Sequence, residues 1–153
     1  MEKTLVIFKP CTLQRGILGE IISRFEKKGL NLIGMKMTWL SDEILSEHYS
    51  HLSEKVFFQR VKDAMRPCPI VVACWEGIDA VNVVRTITGV TNGRNAVPGT
   101  IRGDYSMSVQ ENIVHASDSL ETAEIELKRF FSEGEIYECV PHSLPYLYAN
   151  DEF

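Results

Sequence analysis

The sequence predicts an α+β fold, a four-stranded antiparallel sheet with helices packed on one face. Three observations carry this reading. Short apolar or alternating runs near residues 5–8, 33–39, 70–75 and 113–114 read as strands. Stretches of helical period separate them. The order strand, helix, strand, two helices, strand, helix, long loop, strand, helix has the βαββαβ arrangement that suggests an antiparallel sheet.

Leu5-Val6-Ile7-Phe8 is a buried strand ended by Pro10. Ile17, Leu18, Ile21, Ile22 and Phe25 recur at helical spacing, and Gly29 after Lys27-Lys28 stops that helix. Ile33, Met35, Met37 and Trp39 alternate with Gly34, Lys36 and Thr38, giving a half-buried strand. Ser41 caps a helix running through Tyr49, with Asp42 and Glu43 in its first turn. A further helix is expected from about Glu54 to Met65, closed by Pro67 and Pro69.

Ile70 to Trp75 is continuously apolar, as a central strand buried on both faces requires. Ala80, Val83, Val84 and Ile87 mark another helix. From Gly89 to Tyr105 the periodicity vanishes among glycines, asparagines and Pro98, and a loop of that length is usually functional. Ile113-Val114 forms a short last strand, and Leu120, Ala123, Leu127, Phe130 and Phe131 give a last amphipathic helix. The order is that of a ferredoxin-like βαββαβ sandwich, with a two-helix insertion and a long loop. Residues 1–153 read as one domain, with about 132–153 as a C-terminal extension rich in tyrosine.

Composition narrows the function. The chain has 153 residues, 44% of them hydrophobic, and a net charge of −5, which argues against an extended basic surface for nucleic acid or membrane. No apolar stretch reaches membrane-spanning length and no leader pattern opens the chain, so a cytoplasmic protein is expected. Cys11, Cys68, Cys74 and Cys139 are scattered, without a C-x-x-C pair, and read as reduced thiols.

Among the histidines, His48 and His51 stand one turn apart with nothing nearby to complete a metal site, and are expected to face solvent. His142 sits in the tail. His115 ends the last strand just before the polar helix start Ala116-Ser117-Asp118-Ser119, where an imidazole can be held rigidly at a sheet edge. Spacing alone fits both a catalytic and a structural imidazole. Lys9 closes the first strand, and Arg85, Arg94 and Arg102 add positive charge. No G-x-x-x-x-G-K-[ST] or G-x-G-x-x-G is present.

Asn112-Ile113-Val114-His115-Ala116-Ser117-Asp118 resembles the N-x-x-H-[AG]-S-D signature of nucleoside diphosphate kinases. The resemblance runs through almost the whole chain. It includes Phe8-Lys9-Pro10 with Gln14-Arg15-Gly16, Glu47-His48-Tyr49, Phe57-Phe58, Trp75-Glu76-Gly77 and Pro98-Gly99-Thr100-Ile101-Arg102-Gly103-Asp104.

The resemblance implies the ferredoxin-like fold and a phosphohistidine on His115. The γ-phosphoryl of a nucleoside triphosphate, chiefly ATP, would pass through it to a nucleoside diphosphate. It further implies that Glu126 and Ser117 orient His115, and that Lys9 and Asn112 hold the sugar, Lys9 also touching phosphate. Tyr49, Arg85, Thr91 and Arg102 would surround the phosphates, and Phe57 and Val109 would sandwich the base. Mg²⁺ would arrive on the nucleotide, without a protein cage. A homohexamer is implied, with a homotetramer as the alternative.

Two departures stand out. Cys11-Thr12 replaces the acid and small residue common after Lys-Pro, and Thr12 is expected to serve as a helix cap. Gly93-Arg94 follows Asn92 where the family commonly has proline, which bears on subunit contacts more than on chemistry. A binding module on the same fold is the rival reading, yet no aromatic stripe for RNA is present. A histidine phosphatase would need neither the base clamp nor the sugar contact.

Overall fold

In the computed structural model, which describes residues 1–152, the sheet is four-stranded and antiparallel in the order β2-β3-β1-β4. The strands are β1 (Glu2–Phe8), β2 (Asn31–Thr38), β3 (Ile70–Gly77) and β4 (Val114–Ala116). This is the strand order of the βαββαβ plan. Phe153, the last residue of the expected extension, lies outside the described residues.

Helices cover both faces of the sheet, where one covered face was expected. The cause lies in β1 and β3, whose runs 5–8 and 70–75 are apolar without interruption and so leave two faces to bury. On one face α2 (Leu18–Lys28) and α5 (Ala80–Thr88) bring Ile21, Phe25, Ala80 and Val84 onto Val6, Phe8, Ala73 and Trp75. On the other, α3 (Asp42–His48) and α7 (Leu120–Phe130) bring Leu45, Leu127 and Phe130 onto Leu5, Ile7, Val72 and Cys74. The predicted boundary signals operate. Gly29 takes φ 102° beyond α2, Ser41 accepts from the Ile44 amide, and Ser119 accepts from the Thr122 amide.

Several expectations are corrected. The helix expected from Glu54 is α4 (Phe58–Ala64), preceded by a 3-10 turn at Ser50–Leu52. Thr12 lies inside the short helix α1 (Pro10–Gln14), and its hydroxyl donates to the Ile113 carbonyl instead of capping. Pro10 sits in the first turn of α1, where its missing N–H costs nothing. The stretch read as a loop holds a 3-10 turn at Gly93–Asn95 and the helix α6 (Ile101–Tyr105), capped by Thr100.

The apolar residues of β2 change faces. A bulge at Ile33 takes the register from Leu32 opposite Trp75 to Gly34 opposite Cys74. One extra residue flips every later side chain. Met35 and Met37 therefore share a face with Ala73 and Val71, at the open edge of the sheet, and with Trp39 they are exposed. On the opposite face Lys36 pairs with Glu135, and the Tyr137 amide donates to the Ile33 carbonyl, so the C-terminal stretch begins by lying along the bulge. Further on, α8 (Leu144–Leu147) sets Leu147 against Gly29.

Candidate active site

β4 is three residues long, and its middle residue, His115, pairs with Ile7 of β1. The approach to β4 is strained. Ile113, fully buried and β-branched, has φ 75°, a conformation that costs on the order of 1–3 kcal/mol. Its neighbourhood holds it there. The Ile113 carbonyl accepts from the Lys9 amide and the Thr12 hydroxyl. Arg102 donates from Nε to the Asn112 carbonyl, from Nη2 to the Val114 carbonyl and from Nη1 to the Gly89 carbonyl, at 3.1, 2.7 and 3.0 Å. Three consecutive carbonyls before His115 are thus tied down.

The imidazole they deliver is oriented from one side. His115 Nε2 lies 2.8 Å from Glu126 Oε1, and the Ser117 hydroxyl donates to Glu126 Oε2. Glu126 and Ser117 are buried. Burial pushes the Glu126 carboxyl up, but hydrogen bonds from His115 and Ser117 leave it below the ordinary carboxylate range. The carboxylate therefore accepts the Nε2 hydrogen, and Nδ1 keeps a free lone pair. His115 lines a cavity of ≈ 830 Å³, within the size of small-molecule sites, about 300–1,000 Å³.

The cavity gathers most of the residues singled out in the sequence. Lys9, Tyr49, Phe57, Arg85, Thr91, Arg102, Val109, Asn112, His115 and Glu126 all line it. Ser117 does not, and reaches it only through Glu126. Lys9 Nζ donates to Asn112 Oδ1 at 2.6 Å and to the Gln110 carbonyl at 3.0 Å. Asn112 Nδ2 in turn donates to the Thr91 carbonyl. Burial first, then Arg102, lower Lys9 to about 8. Burial first, then Arg85, bring Arg102 down to about 10, so it stays charged at neutral pH. Burial lifts Tyr49 to about 12, so its phenol keeps its proton. Arg85 is exposed on α5 and makes no ion pair or hydrogen bond among the described residues.

His48 corrects the sequence reading. It is buried beside His115, with ring centroids 4.5 Å apart and planes at 82°, while His51 alone of the pair faces outward. The available signal was helical spacing, since His48 follows Leu45 by three on the buried side of α3. Donor atoms of His48, His115 and Glu126 lie within 4.8 Å of one another. The group is nonetheless a hydrogen-bonded assembly: Arg129 Nη1 stands 3.3 Å from His48 Nδ1, and a guanidinium there opposes a cation.

A divalent cation would fit this cavity as the companion of an anionic ligand. Its walls carry Lys9, Arg85 and Arg102 for anions, and its acids, Glu47, Asp118 and Glu126, do not form a cage of their own. No helix among the described residues is long and apolar enough to cross a membrane.

An α+β sandwich that presents one oriented imidazole to a cavity lined by Lys9, Arg85 and Arg102 is built to pass an anionic group through that imidazole, the class of a group-transfer enzyme. The family profile for nucleoside diphosphate kinase matches residues 2–136. A nucleoside diphosphate kinase of Parabacteroides distasonis is 74% identical over 153 residues, covering 100% of both chains. One from Pyrococcus abyssi is 49% identical over 140 residues, 90% of this chain and 88% of that one. The structure of a halophilic nucleoside diphosphate kinase from Halobacterium salinarum in complex with CDP superposes with a TM-score of 0.93, at 36% identity, over 96% of this chain and 98% of that one. This chain belongs to the nucleoside diphosphate kinase family, whose members act with divalent cations.

Proposed function

We propose that the protein transfers the γ-phosphoryl of a nucleoside triphosphate, chiefly ATP, to a nucleoside diphosphate through a phosphohistidine on His115, so maintaining NTP and dNTP pools. The observation that carries this is the 2.8 Å contact of His115 Nε2 with the buried Glu126 carboxylate, which leaves Nδ1 as the attacking atom in a cation-lined cavity. Family membership supports the reaction class.

In the first half-reaction the Nδ1 lone pair forms an N–P bond while the bond from phosphorus to the β–γ bridging oxygen breaks. The electron pair leaves with the nucleoside diphosphate. The Nε2 hydrogen stays on the ring, and Glu126 balances the positive charge that develops there. In the second half-reaction a terminal phosphate oxygen of another diphosphate attacks the phosphorus, and the pair returns to Nδ1. Kinetics are ping-pong. Lys9, Arg85 and Arg102 supply positive charge toward the phosphates, with Tyr49 and Thr91 beside them, and Asn112 with Lys9 holds the sugar. Phe57 and Val109, both partly exposed at the cavity, clamp the base by its faces, which accepts purines and pyrimidines alike. A divalent cation, for which we propose Mg²⁺, would arrive on the nucleotide and supply further positive charge to the phosphates beside Lys9, Arg85 and Arg102.

The chain works as one domain with residues 132–153 as an extension. It is cytoplasmic, needs no nucleic acid or membrane, and assembles as a homohexamer or, failing that, a homotetramer. Exposed Met35, Met37 and Trp39 on an open sheet edge support assembly. The test is incubation with labelled ATP followed by several unlabelled diphosphates. Acid-labile label on the protein, passed to more than one diphosphate and lost in His115→Ala, is expected. Label retained by His115→Ala, or hydrolysis without transfer, overturns the proposal.

A further inference from the structure

Glu126 and Arg129 stand three residues apart on α7, a spacing at which opposite charges pair along a helix. Here they do not. Arg129 Nε reaches Glu47 Oε1 at 2.8 Å, and Nη1 points to His48 Nδ1 at 3.3 Å. His48 Nδ1 is also 3.6 Å from Glu126 Oε1, so the His48 ring occupies the space where the guanidinium and carboxylate would meet.

The ring is held in that place. Its side chain is 2% exposed. Tyr49, His115 and Phe130 lie against it at centroid distances of 4.7, 4.5 and 5.3 Å, each near perpendicular. A guanidinium has only donors, so Nδ1 must accept and the hydrogen of the neutral ring sits on Nε2. The titratable and charged groups around it are Tyr49 at the end of α3, His51 from the 3-10 turn, His115 from β4, and Glu126 and Arg129 from α7, with Glu47 held on the far side of Arg129. Burial first, then His115, hold it down to about 3; Glu126 opposes this, and Arg129 and His51 reinforce it. The ring is uncharged throughout the neutral range.

We propose that His48 is a positioning residue for phosphoryl transfer, a neutral spacer that keeps Arg129 off Glu126 and reserves that carboxylate for His115. This rests on His115 being the nucleophile. Without the spacer, Arg129 shares Glu126 Oε1, the carboxylate charge is divided, and two things weaken. One is the preference of His115 for carrying its hydrogen on Nε2. The other is the balance of positive charge on the phosphorylated ring.

The experiment uses the full chain with His48→Ala, Arg129→Gln and the double variant. It reads single-turnover uptake of label from ATP, the KM for ATP, and the His115 tautomer by ¹⁵N NMR. In His48→Ala, uptake slows at least about tenfold while KM stays within about twofold. The His115 ¹⁵N signals move from the Nε2–H form toward a mixture. Removing the competitor as well restores most of the rate and the tautomer, a non-additive rescue that a purely structural loss would not give. Additive losses, or an unchanged rate and tautomer in His48→Ala, overturn the proposal.

The unaltered protein gives a second reading in case His48→Ala fails to fold. His48 must remain neutral with its hydrogen on Nε2 from about pH 5 to pH 9, and an Nδ1–H form or a titration in that range also overturns the proposal. Label uptake by His115→Ala would instead refute the nucleophile, and the tautomer readings would still judge the spacer.

Discussion

His115 Nε2 and Glu126 Oε1 are 2.8 Å apart across the junction of β4 and α7, and Glu126 Oε2 takes the Ser117 hydroxyl. This contact selects which imidazole nitrogen faces the cavity. Glu126→Gln keeps the shape and removes the charge, so transfer should slow by roughly 10–100-fold with little change in KM. Stability carries a second signature. The folded carboxyl lies below its ordinary 4.5, so its stabilisation is complete above that value and is lost as pH falls through the lowered one. Acid titration of unfolding should therefore be shallower for Glu126→Gln than for the unaltered protein.

Arg85 and Arg102 line the same cavity yet should fail differently. Arg102 spends three N–H groups on the carbonyls of Gly89, Asn112 and Val114, while Arg85 stands exposed on α5. Arg102→Ala leaves those acceptors without their donor beside the strained Ile113, and should cost about 2–4 kcal/mol of stability as well as activity. Arg85→Ala should raise KM with a stability change within about 0.5 kcal/mol. Thermal unfolding and steady-state kinetics on both variants check the contrast.

That contrast marks where sequence reading stops. Strands at Leu5–Phe8 and Ile70–Trp75 and the helix stop at Gly29 were legible because apolar period and left-handed glycine act locally. The signature around His115 brought the cavity residues with it. The faces of Met35 and Met37 were not legible, since the one-residue bulge at Ile33 leaves no mark on the alternation. Nor was the use of Thr12 and Arg102, whose acceptors lie about 100 and about 10 residues away and meet them only through tertiary packing. His48 is buried because it follows Leu45 by three on the inner side of α3, a spacing that overrides the polarity of its ring.

Lys9 makes nucleotide binding depend on pH in a defined direction. Burial and Arg102 bring its ammonium down to about 8 from 10.5. Phosphates prefer the charged form, so affinity should fall as pH rises through about 8, and binding near that pH should take up protons. Titration of a nucleoside diphosphate by calorimetry in two buffers at pH 7 and pH 9 measures both effects, and Lys9→Gln should flatten them. Stability runs the other way. Between about 8 and 10.5 the unfolded chain binds more protons at Lys9, so this group makes folding more favourable as pH rises, and Lys9→Gln should remove that gain.

Gly93 tests whether the residue common elsewhere in the family fits this chain. A Cβ on Gly93 would lie 2.4 Å from the Ser106 carbonyl oxygen and Oγ, and 2.5 Å from Ser106 Cβ. The Gly93 amide also donates to the Ser108 carbonyl at 3.1 Å. Gly93→Pro would both collide with Ser106 and delete that hydrogen bond, where Gly93→Ala would only collide. Both should destabilise, alanine by about 1–3 kcal/mol and proline by more. Ser106 cannot easily give way, because its hydroxyl lies 3.0 Å from both the Ser108 and Glu111 carbonyls, sharing its one hydrogen between them, and accepts from the Ser108 amide. Trimming it with Ser106→Ala should therefore recover only part of the loss. Denaturant unfolding of the two single variants at Gly93 and of Gly93→Pro combined with Ser106→Ala decides the matter. A proline variant as stable as the unaltered chain would mean that the backbone from Asn92 to Asn95 shifts to make room.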